Sequence, residues 1–179
     1  LDDSKTHKLV LEGLFGPVYK ATTTKTLIDK KQLSDFKINC LVLKHNEDDR
    51  KTIRNATYQE EMDYLVTHEK RNKFIHNLCE SLNGNTLCLF QYVEKHGKKL
   101  YDMMKEFDRK VFLVHGGTET KDREIIRSIT ENEKNAIIVA SFGTFSTGIN
   151  IRNLHNIIFA SPSKSRIRNL QSIGRGLRL

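Results

Sequence analysis

The sequence has 179 residues, 37% hydrophobic and 29% charged, so it is long enough for one globular domain with a sizeable core. It carries 30 lysines and arginines against 22 acidic residues, a net charge of +8. That balance favours a polyanionic partner, although a solvated basic surface gives the same composition. No apolar run approaches the roughly 20 residues of a membrane span, and no signal peptide opens the sequence, so we expect a cytoplasmic protein.

The cysteines and histidines show no metal-binding spacing. Cys40, Cys79 and Cys88 lie apart among apolar neighbours, and no Cys-x-x-Cys pair occurs. Such a set is typical of reduced core cysteines rather than of a disulfide frame or a zinc site. The seven histidines are equally scattered. The sequence therefore predicts no metal site.

Residues 1–57 are predicted to form a connecting segment. Thr23 is placed to cap a short helix at its amino terminus. Phe36–Leu43 alternates and then becomes fully apolar, which predicts a strand. His45–Ala56 is almost entirely polar and predicts an exposed loop. A separate domain is then expected over residues 58–179.

Residues 58–179 alternate between helical and strand patterns. The longest helical pattern, Tyr58–Asn83, has a possible break at Thr67–His68. Four strands are predicted at Thr86–Phe90, Val111–Val114, Ala136–Ala140 and Asn156–Ala160. The later helices are predicted at Val93–Phe107, Lys121–Glu131 and Ser165–Leu177. This order predicts an α/β domain whose parallel sheet is flanked by helices on both faces.

Polar residues follow three of the predicted strands, where parallel sheets bind their ligands. They are Gln91 after the first strand, His115–Thr118 after the second and Ser141–Asn150 after the third. Ser141–Asn150 is predicted to be a loop, and its two glycines and four hydroxyls suit the close approach of an anion. An ordinary long turn uses the same residues, and the glycine pair Gly116-Gly117 is likewise common in turns.

The sequence closes on the pattern Gln171-x-x-Gly174-Arg175-x-x-Arg178. Two arginines at this spacing share one face of a helix, and each guanidinium fork suits phosphate oxygens. A glycine inside a helix costs about 1 kcal/mol, which indicates that another group approaches closely. A solvated helix face fits the spacing too, and it is the favoured interpretation of the basic residues just upstream, Lys164, Arg166 and Arg168.

Together, these segments resemble the second, C-terminal RecA-like domain of superfamily 2 helicases. Residues 88–100 resemble the fourth conserved motif, residues 138–150 the fifth and residues 171–178 the sixth, with Val114–Thr118 between them. Within the superfamily, residues 13–43 and 57–78 resemble phage UvsW-type ATP-dependent DNA helicases. The resemblance implies a P-loop NTPase-type fold.

The resemblance also implies roles for individual residues. Arg175 and Arg178 match arginine fingers, which stabilise charge during phosphoryl transfer. The implied ATP-binding positions are Gly148, Asn150, Gln171 and Gly174. The implied contacts to the nucleic-acid backbone are Gln91, Gly116, Gly117, Ser141 and Thr147. Asn150 departs from the family, in which many members have aspartate, and the loop from Ser141 to Asn150 looks one residue longer than in DEAD-box proteins.

Neither a P-loop nor a DEAD/DExH box occurs in the 179 residues. The resemblance therefore implies that a preceding RecA-like domain of the same polypeptide binds most of the ATP and Mg²⁺, and that this chain is a fragment, truncated at its C-terminus and inactive alone. The implied function is the C-terminal motor domain of a DNA helicase that remodels branched DNA in recombination and replication-fork repair, in host cytoplasm if phage-encoded. Its implied partner is branched or single-stranded DNA.

Two alternative functions stay open on the sequence. One is the duplex-translocating motor of a restriction-type enzyme, whose motifs would look the same. The other is a basic nucleic-acid-binding module that has no ATP coupling, in which Arg175 and Arg178 would contact nucleic acid directly.

Overall fold

The computed structural model describes residues 5–147, 151 and 153–176, together with the side chains of these residues except at 5, 6 and 145–147. Three predicted site residues, Gly148, Asn150 and Arg178, lie outside the described residues, as does the Thr147 side chain. The chain divides into two compact units, Leu1–Asp35 and Phe36–Leu179. Within the described part, every helix is too short or too polar to cross a membrane.

The first unit contains two helices, α1 (Lys5–Phe15) and α2 (Thr24–Asp29). Gly16 follows α1 with a φ of 82°, and its amide donates to the Glu12 carbonyl, the left-handed ending that glycine permits. The Thr23 hydroxyl accepts the Thr26 amide at 3.1 Å. The predicted threonine cap is therefore confirmed.

The segment that opens the second unit differs from its prediction. Phe36–Leu43 forms no strand, and its apolar side chains are exposed, Val42 to 83%. The strand prediction was wrong because an alternating pattern stabilises a strand only where a neighbouring strand pairs with it, and the sheet formed by the described residues does not include this segment. Cys40, expected in the core, is exposed, whereas Cys79 and Cys88 are buried.

The predicted polar loop at His45–Ala56 contains helix α3 (Glu47–Ile53). The Asn46 side chain caps α3 by accepting the Asp49 amide at 2.8 Å. Three acidic residues lie in its first turn, where the helix dipole favours negative charge. These end effects stabilise a helix that has almost no apolar face.

The rest of the second unit begins with α4 (Tyr58–Thr67) and α5 (Glu69–Ser81). His68 separates them, which confirms the predicted break. The remaining elements alternate along the chain as β1 (Thr86–Phe90), a π-helical turn (Val93–Gly97), α6 (Lys98–Met104), β2 (Val111–Val114), α7 (Thr120–Asn132), β3 (Ile137–Ser141), α8 (Phe142–Thr147), β4 (Asn156–Phe159) and α9 (Arg166–Gly176).

The four strands form one parallel sheet in the order β2-β3-β1-β4. On one face, Cys88 and Phe90 pack with residues of α5 and α6; on the other, Leu87 and Leu89 pack with Phe142 and further apolar side chains. The predicted α/β fold with helices on both faces is confirmed. Since all four strands are parallel, their carboxyl ends share one edge of the sheet.

The opposite, amino-terminal edge is closed by the buried side chain of Asn85. Its amide nitrogen lies within 3.0 Å of the carbonyls of Thr130, Glu133 and Asn153, and its oxygen accepts the Ala136 amide at 2.8 Å. This side chain therefore ties the start of β1 to the segments that lead into β3 and β4. The residues predicted to form the functional site follow the strands at the carboxyl edge.

Candidate functional site

Gln91 lies at the carboxyl edge, directly after the central strand β1. Its backbone amide donates to Ser161 Oγ at 3.0 Å, and its side-chain Oε1 accepts from Arg168 Nη1 at 2.9 Å. Ser161 follows β4, and Arg168 is on α9. The predicted nucleic-acid contact Gln91 is therefore connected to α9, and Arg168, interpreted from sequence as part of a solvated face, has a specific partner.

A buried chain of hydrogen bonds positions the Gln91 amide. Ser161 Oγ lies 2.9 Å from His96 Nδ1, and His96 Nε2 lies 3.2 Å from Asn72 Oδ1. Asn72 uses its amide nitrogen to donate to the Val66 carbonyl at 2.9 Å, so its oxygen must accept. The His96 proton is therefore on Nε2, and the Ser161 hydroxyl donates to Nδ1.

Burial keeps His96 neutral. Desolvation, with smaller contributions from the positive charges of Arg71 and Lys99, lowers the pKa of His96 from 6.5 to about 3. The Arg71 guanidinium is itself desolvated, which lowers its pKa, and it donates to the carbonyls of Ala160 and Leu65. A partly buried cation and a buried neutral imidazole thus pack behind the carboxyl edge.

The predicted turn at His115–Thr118 is confirmed. The Thr118 hydroxyl accepts the His115 amide at 3.0 Å, and the Gly117 amide donates to His115 Nδ1 at 3.1 Å. Arg123 donates to the Gly116 carbonyl at 3.0 Å. Because the Gly117 amide already has an acceptor, exposed Gly116 is the better placed of the two for a backbone contact.

The predicted loop at Ser141–Asn150 is wrong in its first part, because Phe142–Thr147 forms α8. Ser141 Oγ lies 2.8 Å from Thr144 Oγ1 and accepts the Thr144 amide at 3.3 Å, which is how an N-cap residue acts. Phe142, the first residue of α8, is 1% exposed and packs in the core. The Ser141 hydroxyl is therefore engaged within the protein.

Helix α9 carries Gln171, Gly174 and Arg175. Gln171 and Arg175 are exposed and half-buried respectively, and with Arg168 they share one side of the helix. A Cβ at Gly174 would meet nothing within 4 Å, whereas one at Gly176 would lie 2.6 Å from Ile157 Cδ1. The glycine that α9 needs for packing against β4 is therefore Gly176, and within the described part of the chain Gly174 has open space beside it.

The structure also brings together a cluster that the sequence did not indicate. His45, Asp49 and His68 present potential metal ligands within 4.8 Å of one another. His68 Nδ1 accepts the Arg71 amide at 3.2 Å, so its ring proton is on Nε2, which faces Asp49 Oδ2 at 3.6 Å. That arrangement is a histidine–carboxylate pair, and the absence of a metal site stays a prediction.

The fold defines a RecA-like α/β domain. The residues after β1, β2 and β3 and one face of α9 line the carboxyl edge of its sheet. Residues 69–179 match the family described as helicase conserved C-terminal domain. The chain belongs to this family.

Similar proteins agree with this assignment. The chain is 39% identical, over 99% of its length, to "ATP-dependent DNA helicase uvsW" of Enterobacteria phage T4, and 25% identical, over 86%, to "Putative ATP-dependent helicase IRC3" of Saccharomyces cerevisiae. It covers 36% and 23% of these two relatives. The crystal structure of T4 UvsW matches 73% of this chain and 27% of its own, with 40% identity and a TM-score of 0.64.

Proposed function

We propose that this chain is the C-terminal motor domain of an ATP-dependent DNA helicase that remodels branched DNA in recombination and replication-fork repair. The observation that carries the proposal is the 39% identity, along nearly the whole chain, to a phage protein named as an ATP-dependent DNA helicase. The carboxyl edge supports it, because Gln91, the turn after β2 and α9 converge there from separate parts of the sequence. The domain division at residues 57 and 58 belongs to the same proposal.

In this proposal, the nucleotide is shared with a preceding RecA-like domain of the same polypeptide. Arg175 and Arg178 donate to the oxygens of the γ-phosphate and stabilise the charge that develops there. Gln171 and Gly174, with Gly148 and Asn150, face the nucleotide from the same side. ATP supplies the transferable phosphoryl group.

The residues of this chain fit the nucleotide in part. Half-buried Arg175 on α9 has the fixed donor fork that phosphate requires. Mg²⁺ prefers a shell made mostly of oxygen ligands, whereas the cluster of His45, Asp49 and His68 offers one carboxylate and two imidazoles. We therefore assign Mg²⁺ to the preceding domain, and expect this chain alone not to hydrolyse ATP.

The DNA backbone is proposed to lie along the carboxyl edge. The proposed contacts to its phosphates and sugars, which carry no sequence information, are Gln91, Gly116, Gly117, Ser141 and Thr147. Of these, the Gly117 amide and the Ser141 hydroxyl must exchange a partner within the protein for the DNA. The net charge of +8 favours such a partner. Gln91 supports this placement best, since its amide is fixed from behind by Ser161 and its side chain by Arg168.

The test is ATP hydrolysis by the full-length protein with and without forked DNA. Arg175→Ala and Arg178→Ala should each lower DNA-stimulated turnover by about 10³-fold or more, with DNA affinity nearly unchanged. Lys134→Ala, which removes an exposed charge ahead of β3, serves as the control. DNA binding without any hydrolysis by the unsubstituted protein would instead indicate a basic binding module.

A further inference from the structure

A groove beside Gln91 combines an aromatic wall with two positively charged side chains. It has a volume of about 220 Å³ and opens at the carboxyl ends of β1 and β4. Tyr58, Met62, Tyr92 and Pro162 provide apolar surface, and Lys164 and Arg168 lie at the rim. None of the described residues that line it is acidic.

The two cations at the rim lack acidic partners. Within the described residues, neither Lys164 nor Arg168 forms a salt bridge. The Lys164 ammonium lies 4.3 Å from the Tyr58 ring centroid, and Arg168 donates to the neutral Gln91 side chain. Two positive charges that converge on one groove without neutralisation indicate an anionic ligand.

The aromatic wall is held in place before any ligand arrives. Tyr58 is 47% exposed and is the first residue of α4, where a capping box between Thr57 and Glu60 fixes the backbone. Met62, one turn later, is 2% exposed and supports the floor. The Tyr92 hydroxyl lies 3.4 Å from Gln59 Nε2, which ties the second tyrosine to the same turn of α4.

We propose that this groove binds one nucleotide of single-stranded DNA, with its base stacked on Tyr58 and the adjoining phosphates on Lys164 and Arg168. The proposal rests on the proposed function and adds a subsite to it. An aromatic platform beside a basic rim is how proteins hold unpaired bases without regard to sequence. The contact of Lys164 with an exposed ring is weak, so the ammonium can leave Tyr58 for a phosphate when a base takes its place.

This subsite distinguishes an unpaired strand from a duplex. A base reaches Tyr58 only when it is not paired, whereas contacts to phosphate are available in both forms. We therefore expect single-stranded DNA to bind in a way that depends on its bases. A motor that only tracks duplex backbone has no use for the aromatic wall.

The experiment compares two fluorescein-labelled strands of equal length and charge, an oligothymidylate and an oligomer of abasic sites. Binding to the full-length protein is followed by anisotropy at fixed salt. Tyr58→Leu should weaken oligothymidylate binding about tenfold, the contribution of one stacked base, and leave abasic binding unchanged. Tyr58→Phe should stay within about twofold of the unsubstituted protein, because the ring remains.

The basic rim has its own matched pair of variants. Lys164→Ala should weaken both strands and lower the salt slope by about 0.7, the value for one phosphate contact to a single strand. Lys134→Ala removes the same charge from an exposed position ahead of β3 and should change neither. Equal effects of the two lysine variants would mean that net charge, and not this groove, binds the strand.

A probe within the DNA tests the stack without any substitution. A single 2-aminopurine in the strand should lose fluorescence on binding to the unsubstituted protein, because stacking quenches it. Unchanged fluorescence, or equal loss of both strands in Tyr58→Leu, overturns the subsite and leaves the proposed function standing. If polyglutamate competes as well as DNA, the groove is a general anion surface and the proposal is wrong.

Failure of the proposed function gives a different result. In that case neither strand binds the unsubstituted protein, and ATP hydrolysis does not respond to DNA. That result would refute both the proposed function and the base subsite. Intact DNA-stimulated hydrolysis, together with an unaffected Tyr58→Leu variant, removes the subsite alone.

Discussion

His96 joins three parts of the domain through its two ring nitrogens. One nitrogen accepts from Ser161 after β4, and the other donates to Asn72 on α5. Through Ser161, the same ring supports the amide of Gln91. All of these polar groups except Gln91 are buried, so none can turn to water if the ring is removed.

We expect His96→Leu to destabilise the protein severely. The substitution leaves the Ser161 hydroxyl proton without its acceptor and the Asn72 oxygen without its donor, and each buried unsatisfied group costs about 1–3 kcal/mol. Urea unfolding should show the loss in the free energy of unfolding. His76→Leu, on the half-buried side of α5, is the matched control and should cost much less; equal losses would contradict the role assigned to the buried network.

The depressed pKa of His96 also predicts how stability changes with pH. The folded state binds its proton only near pH 3, whereas the unfolded state binds it below the ordinary pKa of 6.5. The unfolded state therefore holds more protons between these values, and stability falls as pH drops from 6.5 towards 3. Above pH 6.5 this contribution is fully present.

The effect is measured by comparison with His96→Asn, which does not titrate in this range. Between pH 7 and pH 5, the unsubstituted protein should lose about 2 kcal/mol more of its free energy of unfolding than the variant. All other titrating groups are common to both proteins, so their contributions cancel. Parallel pH profiles would show that His96 is not held neutral by the fold.

Single residues were predicted well where the signal was local. The Thr23 cap and the turn at His115–Thr118 follow from a few adjacent positions. The partners of Gln91 do not, because Ser161 and Arg168 are distant in sequence and only the parallel sheet brings them to one edge. The cluster of His45, Asp49 and His68 had no recognisable spacing either, because the whole of helix α4 separates Asp49 from His68.

Two glycines within helical elements differ in the space available for a side chain. Gly97 ends the π-helical turn, and a Cβ there would lie 2.4 Å from the buried Phe90 ring. A Cβ at Gly174 inside α9 would meet none of the described residues within 4 Å. The first glycine is needed for packing and the second is not.

Alanine substitutions should therefore have opposite effects on stability. Gly97→Ala should destabilise by about 1–3 kcal/mol because Phe90 must move within a packed core. Gly174→Ala should stabilise by up to about 1 kcal/mol, the helix propensity that glycine lacks. Chemical unfolding of both variants gives the comparison, and a gain in stability for Gly97→Ala would overturn it.

Gly174→Ala also tests why a helix keeps a glycine that its own packing does not need. If another domain approaches α9 closely, as the proposed function requires, the more stable variant should hydrolyse ATP more slowly in the full-length protein. Unchanged hydrolysis would leave Gly174 without a part in the nucleotide site.

Elements were mispredicted where tertiary context overrode local pattern. Phe36–Leu43 has the composition of a strand, but backbone pairing cannot be inferred from composition. Phe142–Thr147 has the glycine and hydroxyl content of a loop, yet burial of Phe142 and the Ser141 cap stabilise a helix there. The first segment lacks the neighbouring strand that its pattern would need. The second is held by the burial of one side chain, Phe142.

At the scale of the whole molecule, the α/β class and all four strands followed from regular alternation of short apolar runs with helical patterns. The strand order β2-β3-β1-β4 did not, because periodicity carries no information on which strands are neighbours. The way in which Asn85 ties the amino-terminal edge together was not predicted either, because its partners are distant in sequence. This strand order places β1 inside the sheet, so Gln91, which follows β1, lies in the middle part of the carboxyl edge.

Helix α9 links the proposed DNA contacts to the proposed nucleotide site. Arg168 contacts Gln91, and Arg175, the proposed arginine finger, lies about 10 Å further along the helix. Substitution of each should change a different kinetic parameter of the full-length protein. Arg168→Ala should raise the DNA concentration that half-saturates ATP hydrolysis by about tenfold with little change in maximal turnover. Arg175→Ala should reduce maximal turnover and leave the half-saturating DNA concentration unchanged, because Arg175 is proposed to contact the γ-phosphate of ATP and not the DNA. Titrating hydrolysis against DNA for both variants separates the parameters, and a common change in both would mean that α9 does not divide the two sites.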